Sequence, residues 1–102
     1  MTNIKINNKY IEVEGHSGYA PEGSDIVCAA ISTLTQATYN YLEATSNDID
    51  IETSEGYLRI IFKSELNGPG ESILSSFIEM VKDLESQYGK YIKLEGDIIW
   101  KY

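Results

Sequence analysis

The chain holds one histidine and one cysteine, His16 and Cys28, twelve positions apart within GHSGYAPEGSDIVCAAIS, residues 15–32. A thiol and an imidazole are the smallest set that performs nucleophilic catalysis through sulfur. A free thiol with a pKa of ~8.5 is only slightly ionised at pH 7, and bringing it to half ionised takes ~2 kcal/mol. A helix N-terminus supplies ~0.3–1 kcal/mol, and Asp25, three residues before Cys28, opposes ionisation when charged. The dipole alone falls short, and an imidazolium beside the sulfur would supply the remainder. In that chemistry Cys28 attacks a carbonyl, while His16 protonates the leaving amine and later activates water. Backbone N–H groups at the helix start then offer donors to the developing oxyanion.

Spacing permits this pairing without requiring it, because the intervening residues could span more than ~25 Å if extended. A lone cysteine in VCAA is more often a small core residue, and a lone histidine at a strand end more often lies at the surface. Metal binding is weaker still, since one Cys and one His lack further soft ligands, and neither metal nor cofactor is expected. Two residues share the helical face of Cys28. Asp25 at i−3 could orient His16 or cap the helix, and Ser32 at i+4 could bond near the sulfur or back to a carbonyl. Ser17, Gly18, Tyr19 and Gly23 lie on the loop between, as substrate contacts or as turn residues. Tyr19 could stack on substrate or pin the loop to the core.

The elements that would position these residues follow from periodicity. NIKIN and YIEVE alternate apolar with polar around Asn7 and Asn8, which tolerate a left-handed tight turn, so the chain opens with a β-hairpin ending near Glu14. From Asp25 the period becomes 3.6, with Val27, Ile31, Leu34 and Thr38 on one stripe; a helix runs to about Leu42, with Ser24 as N-cap and Asp25 in the first turn. IDIET and YLRIIFK form a second hairpin around SEG, with Ile49 and Ile51 facing one side and Leu58, Ile60 and Phe62 another. After the breaker NGPG, Ile73, Leu74, Phe77, Ile78, Val81, Leu84 and Tyr88 mark a second helix. YIKLEG and the following DIIWK supply closing strand material. The order ββαββαβ predicts an α+β two-layer sandwich, a mostly antiparallel sheet with two helices on one face.

With 102 residues the chain fits one domain, residues 1–102, and its 42% apolar and 24% charged content is that of a globular core. Sixteen acidic against eight basic side chains give a net charge of −8, which disfavours direct contact with nucleic acid or anionic lipid and favours a basic partner. No apolar run approaches the ~20 residues of a membrane helix, so no membrane contact is expected. A single unpaired cysteine and the start MTNIKINNKY, which lacks a secretory profile, point to a reducing, cytoplasmic location.

GHSGYAPEGSDIVCAAIS also resembles the signature of the ribosomal-processing cysteine proteases: G-H-[AS]-G-Y-A, a short spacer, then G-x-D-I-V-C-A-A-x-S. The likeness covers about eighteen residues, and the element order fits the family's layout. It implies a protease that removes the N-terminal extension, rich in apolar and aromatic residues, from a bacterial large-subunit ribosomal protein. It implies His16 and Cys28 as the catalytic dyad, supporting roles for Asp25 and Ser32, a mobile loop over residues 17–24, and a homodimer. A noncatalytic module that binds ribosomal protein or aids ribosome assembly is the competing reading; an inert, buried thiol would favour it.

Overall fold

A computed structural model describes residues 1–21 and 24–96. Gly23, Trp100 and the DIIWK segment lie outside the described residues. Alternation carries the strands. In β1 (Thr2–Ile6) every second side chain is buried, and β2 (Tyr10–Glu14), β3 (Ile49–Ser54), β4 (Tyr57–Phe62) and β5 (Ile92–Gly96) complete one five-stranded sheet. The helices α1 (Ile26–Ala44) and α2 (Gly68–Tyr88) stand between β2 and β3 and between β4 and β5, which gives the expected order ββαββαβ.

In space the strands run β3-β4-β2-β1-β5. The β1–β2, β2–β4 and β3–β4 pairings are antiparallel, and β1–β5 is parallel. The parallel pair follows from connectivity. Each helix links two strands that run in the same direction, a connection too long for a hairpin. The sheet is therefore mixed, and its antiparallel pairings dominate as the pattern predicts.

Register places the apolar set on one face. Ile4 lies opposite Val13, Ile6 opposite Ile11, and Ile11 opposite Ile60. Ile49 is opposite Phe62 and Ile51 opposite Ile60, so these side chains share the helix-facing side rather than facing opposite ways. The sequence expectation for this hairpin is thus corrected: a two-residue loop, Glu55–Gly56, brings Ser54 opposite Tyr57 and fixes the alignment. Ile4, Ile6, Ile11, Ile60 and Ile92 meet Val27, Ile31 and Leu42 of α1 and Leu74, Phe77, Ile78 and Val81 of α2 in one core. The opposite face is polar. There Arg59 bonds Glu52 at 3.2 Å and lies over the Tyr10 ring, while the Tyr57 hydroxyl donates to Glu12 at 2.9 Å.

Two turns work differently from the sequence expectation. Neither Asn7 nor Asn8 has a positive φ; the Asn7 side chain instead accepts from the N–H groups of Lys9 and Tyr10 at 2.8 and 2.9 Å. At α1 the N-cap is Asp25, not Ser24, and no acidic residue occupies the first turn. The cap moves by one residue because the Asp25 carboxylate reaches the N–H groups of Val27 and Cys28, which Ser24 leaves to it. The helix runs two residues past Leu42, to Ala44.

At the other end of the helical layer, Asn67 caps α2 by accepting from Gly70 N–H at 2.8 Å. Its own amide donates to the Thr45 carbonyl at 2.7 Å, which ties the end of α1 to the start of α2.

Candidate active site

Gly15 follows β2 with φ 95°, and its N–H donates to the Gly56 carbonyl at 2.8 Å. A side chain is excluded here twice over. A Cβ on Gly15 would stand 2.6 Å from the Met1 carbonyl oxygen, in a backbone region that L side chains rarely adopt. The bond to Gly56 brings the β3–β4 turn under the next residue. A Cβ on Gly56 would lie 3.0 Å from His16 Nε2, so the imidazole rests against a position that only glycine leaves open. The ring is exposed to solvent.

Cys28 sits in the first turn of α1, half-buried. Its sulfur bonds Ser17: the Ser17 N–H donates to Sγ at 3.3 Å, and the thiol donates to Ser17 Oγ at 3.5 Å. Ser17 is 2% exposed. Its hydroxyl also donates to Asp25 Oδ2, and Oγ accepts from the Tyr19 N–H at 3.2 Å. Asp25 Oδ1 receives the N–H groups of Val27 and Cys28 at 3.0 and 2.9 Å. Of the helix-start donors that sequence reasoning reserved for an oxyanion, those of Val27 and Cys28 are therefore committed to the cap.

His16, Cys28 and Ser32 border two adjoining clefts. One, of about 320 Å³, is walled mostly by apolar surface from Val13, Ile31 and Leu58 with Thr2, Thr35 and Tyr57. The other, of about 510 Å³, carries the acidic residues Asp25 and Glu55 beside Gly18 and Ala20. His16 and Cys28 thus come together on one rim, where the end of β2, the start of α1 and the β3–β4 turn converge.

The remaining candidates divide. Asp25 caps the helix, and its bonded partners on the loop are the Ser17 hydroxyl and the Ala20 backbone rather than His16. Ser32 bonds neither the sulfur nor a carbonyl; its Oγ accepts from Gln36 Nε2 at 2.8 Å. Tyr19 pins the loop, edge-on to Tyr88 at 5.7 Å and to Tyr91 at 5.2 Å between centroids. Gly18 takes φ 74° in open space, a turn glycine. Sequence reasoning placed Ser17 only among substrate contacts, yet it is buried against the sulfur. It also missed Gly56, whose signal, a glycine in a two-residue hairpin turn, announces a turn and not a neighbour for His16.

A family model described as cysteine protease Prp matches residues 1–93. The chain belongs to the Prp family of cysteine proteases. Among solved structures, the essential ribosomal processing protease Prp from S. aureus, in complex with a covalently linked product peptide, is similar with TM-score 0.89 at 23% identity. That likeness covers 95% of this chain and 100% of that one. A structure of Prp from S. aureus with a substrate peptide is similar with TM-score 0.76 at 20% identity, over 95% and 100% of the two chains. SMU.848 from Streptococcus mutans gives TM-score 0.72 at 21% identity, over 93% and 90%. At these identities the structural likeness carries the fold. None of the curated proteins matches the chain.

In this Prp-family member the cap is also an acid-sensitive element. Burial works to raise the pKa of the Asp25 carboxyl; hydrogen bonds from Ser17, from the Cys28 and Ala20 backbones and from the Cys28 thiol outweigh it and hold it at about 2, below the ordinary 3.8. A depressed folded value means that stability is fully present above pH 3.8 and is lost as pH falls through about 2. Asp25→Asn is expected to flatten the acid-unfolding curve between those values, followed by circular dichroism. A curve of unchanged slope would contradict it.

Proposed function

We propose that the protein removes the N-terminal extension of a bacterial large-subunit ribosomal protein, with Cys28 as nucleophile and His16 as general acid and base. The observation that carries this reading is the convergence of imidazole and thiol on one rim, with a backbone N–H already aimed at the sulfur. The thiol passes its proton to His16, and the thiolate adds to the scissile carbonyl. The C–N bond then breaks as the imidazolium protonates the departing amine, leaving a thioester on Cys28. Water, deprotonated by His16, hydrolyses the thioester and releases a carboxylate product.

The oxyanion needs a donor that is not already in use. Thr35 and Thr38 on the same helix bond back to the Ile31 and Leu34 carbonyls, whereas the Ser32 hydroxyl only accepts, from Gln36. Among the described residues its hydrogen is uncommitted, at the mouth of both clefts and one turn beyond Cys28, and we assign it to the oxyanion. In this reading the apolar cleft seats an apolar side chain of the extension, and the acidic cleft faces the basic body of the ribosomal protein. A homodimer and a cytoplasmic location belong to the same reading and rest on the family resemblance.

The test is incubation with a ribosomal protein bearing its extension, followed by intact-mass measurement. The expected result is a single cut that frees the mature N-terminus, slowed roughly 10²-fold or more in Ser32→Ala, the scale of a lost oxyanion donor. A substrate that stays uncut by the wild-type protein would refute the assigned reaction.

A further inference from the structure

We propose that substrate docks on the open edge of β3: the segment N-terminal to the cut pairs with that strand as a sixth member of the sheet and delivers the scissile bond to Cys28. The inference rests on the protease reading above. β3 stands at one end of the sheet, with β4 on its inner side. Hydrogen bonding alternates along an antiparallel pair, and two contacts fix its phase here. The Lys63 N–H donates to the Asp48 carbonyl at 2.9 Å, while the Phe62 N–H points to the other side of β4 and donates to the Lys9 carbonyl at 2.8 Å. In this register Asp50, Glu52 and Ser54 direct their backbone groups to β4. Ile49, Ile51 and Thr53 turn theirs away from the sheet, and no described residue bonds them there.

An unpaired edge is a template for another extended chain, and β3, with the sequence IDIETS, has no proline, lysine or bulge to blunt it. The strand leads into the site. Its last two residues, Thr53 and Ser54, wall the cleft of about 320 Å³ together with Ile31 and Thr35 of α1, and the same cleft is bordered by His16 and Cys28. A peptide cut at Cys28 whose preceding residues lie along Thr53, Ile51 and Ile49 runs parallel to β3. The outward groups from Ile49 to Thr53 span ~13 Å, which accommodates about five extended residues. On the helix-facing side this segment meets the half-buried Ile49 and Ile51, and on the polar side Asp50 and Glu52. The edge therefore fits a segment that alternates apolar residues with neutral or basic ones. A second copy of this chain fits it less well, because antiparallel pairing of two β3 edges sets these carboxylates against each other.

The experiment measures binding to Cys28→Ala by fluorescence anisotropy, with a labelled peptide that spans the extension and the first mature residues of the ribosomal protein. Binding needs no cleavage, so an uncut ribosomal protein refutes the assigned reaction and leaves this measurement to decide the docking. In a series of peptides N-methylated at one amide each, every second position before the cut is expected to lose about tenfold in affinity, and the positions between to keep it. Ile51→Pro removes one outward N–H and leaves the bonds to β4, the placement in which an edge strand tolerates proline. Added to Cys28→Ala it is expected to cost about tenfold in affinity; in the protein that keeps Cys28, iodoacetamide alkylates the thiol at the wild-type rate. No saturable binding, affinity indifferent to N-methylation, or equal losses at neighbouring positions overturn the proposal. So does undiminished affinity in Ile51→Pro, including the case in which light scattering shows that variant splitting a dimer built on this edge. Should Ile51→Pro fail to fold, the N-methyl series on Cys28→Ala decides alone.

Discussion

Cys28→Ala is expected to reduce ribosomal-protein cleavage by at least about 10⁴-fold while the domain stays folded. The size of the loss follows from mechanism: without sulfur no thioester forms, and what remains is binding and polarisation by the surrounding groups. The fold should survive because Cys28 is only half-buried and lies at the rim, outside the cluster built on Phe77, Ile4 and Ile60. Removing the sulfur takes an acceptor from the Ser17 N–H, a cost of about 1 kcal/mol. Circular dichroism and intact-mass assays on one preparation separate the two effects. Cleavage at the wild-type rate by the folded variant would end the assignment of the nucleophile.

Gly15→Ala is expected to be the most disruptive single-atom addition near the site. It places an L side chain at φ 95°, which costs about 1–3 kcal/mol, and drives a Cβ to 2.6 Å from the Met1 carbonyl, a backbone atom that cannot rotate away. Together these amount to about 2–5 kcal/mol against a total of roughly 5–15 kcal/mol for a domain. Thermal unfolding should fall by more than about 10 °C for a chain this short. Relief of the clash must also shift the end of β2, the Gly15–Gly56 bond and the His16 ring that follows, so activity should drop further than stability alone explains. A melting temperature within ~2 °C of wild type would show that the close approach to Met1 is not structurally required.

The elements were legible because each carries its own period: alternation in NIKIN and YIEVE, and the stripe from Ile73 to Tyr88 in α2. What pairs with what was less so. Ile49 and Ile51 look independent of Leu58 and Ile60 until the two-residue loop fixes which residues stand opposite, and that alignment is a three-dimensional fact. In the site, the rarity of His16 and Cys28 and the motif around them made both visible. Ser17 was hidden because its importance lies in burial and in simultaneous bonds to Cys28, Asp25 and Tyr19, residues spread over the loop and the helix start. The cap was misplaced by one residue since Ser24 and Asp25 are both good N-caps, and only the backbone decides which reaches the free N–H groups.

Peptide mapping of a reaction quenched within the first turnover reads the chemistry at its decisive step. The account predicts the released N-terminal segment attached to Cys28 through its carbonyl, an adduct that is lost on treatment with hydroxylamine. Steady cleavage with Cys28 free of any such adduct would contradict it.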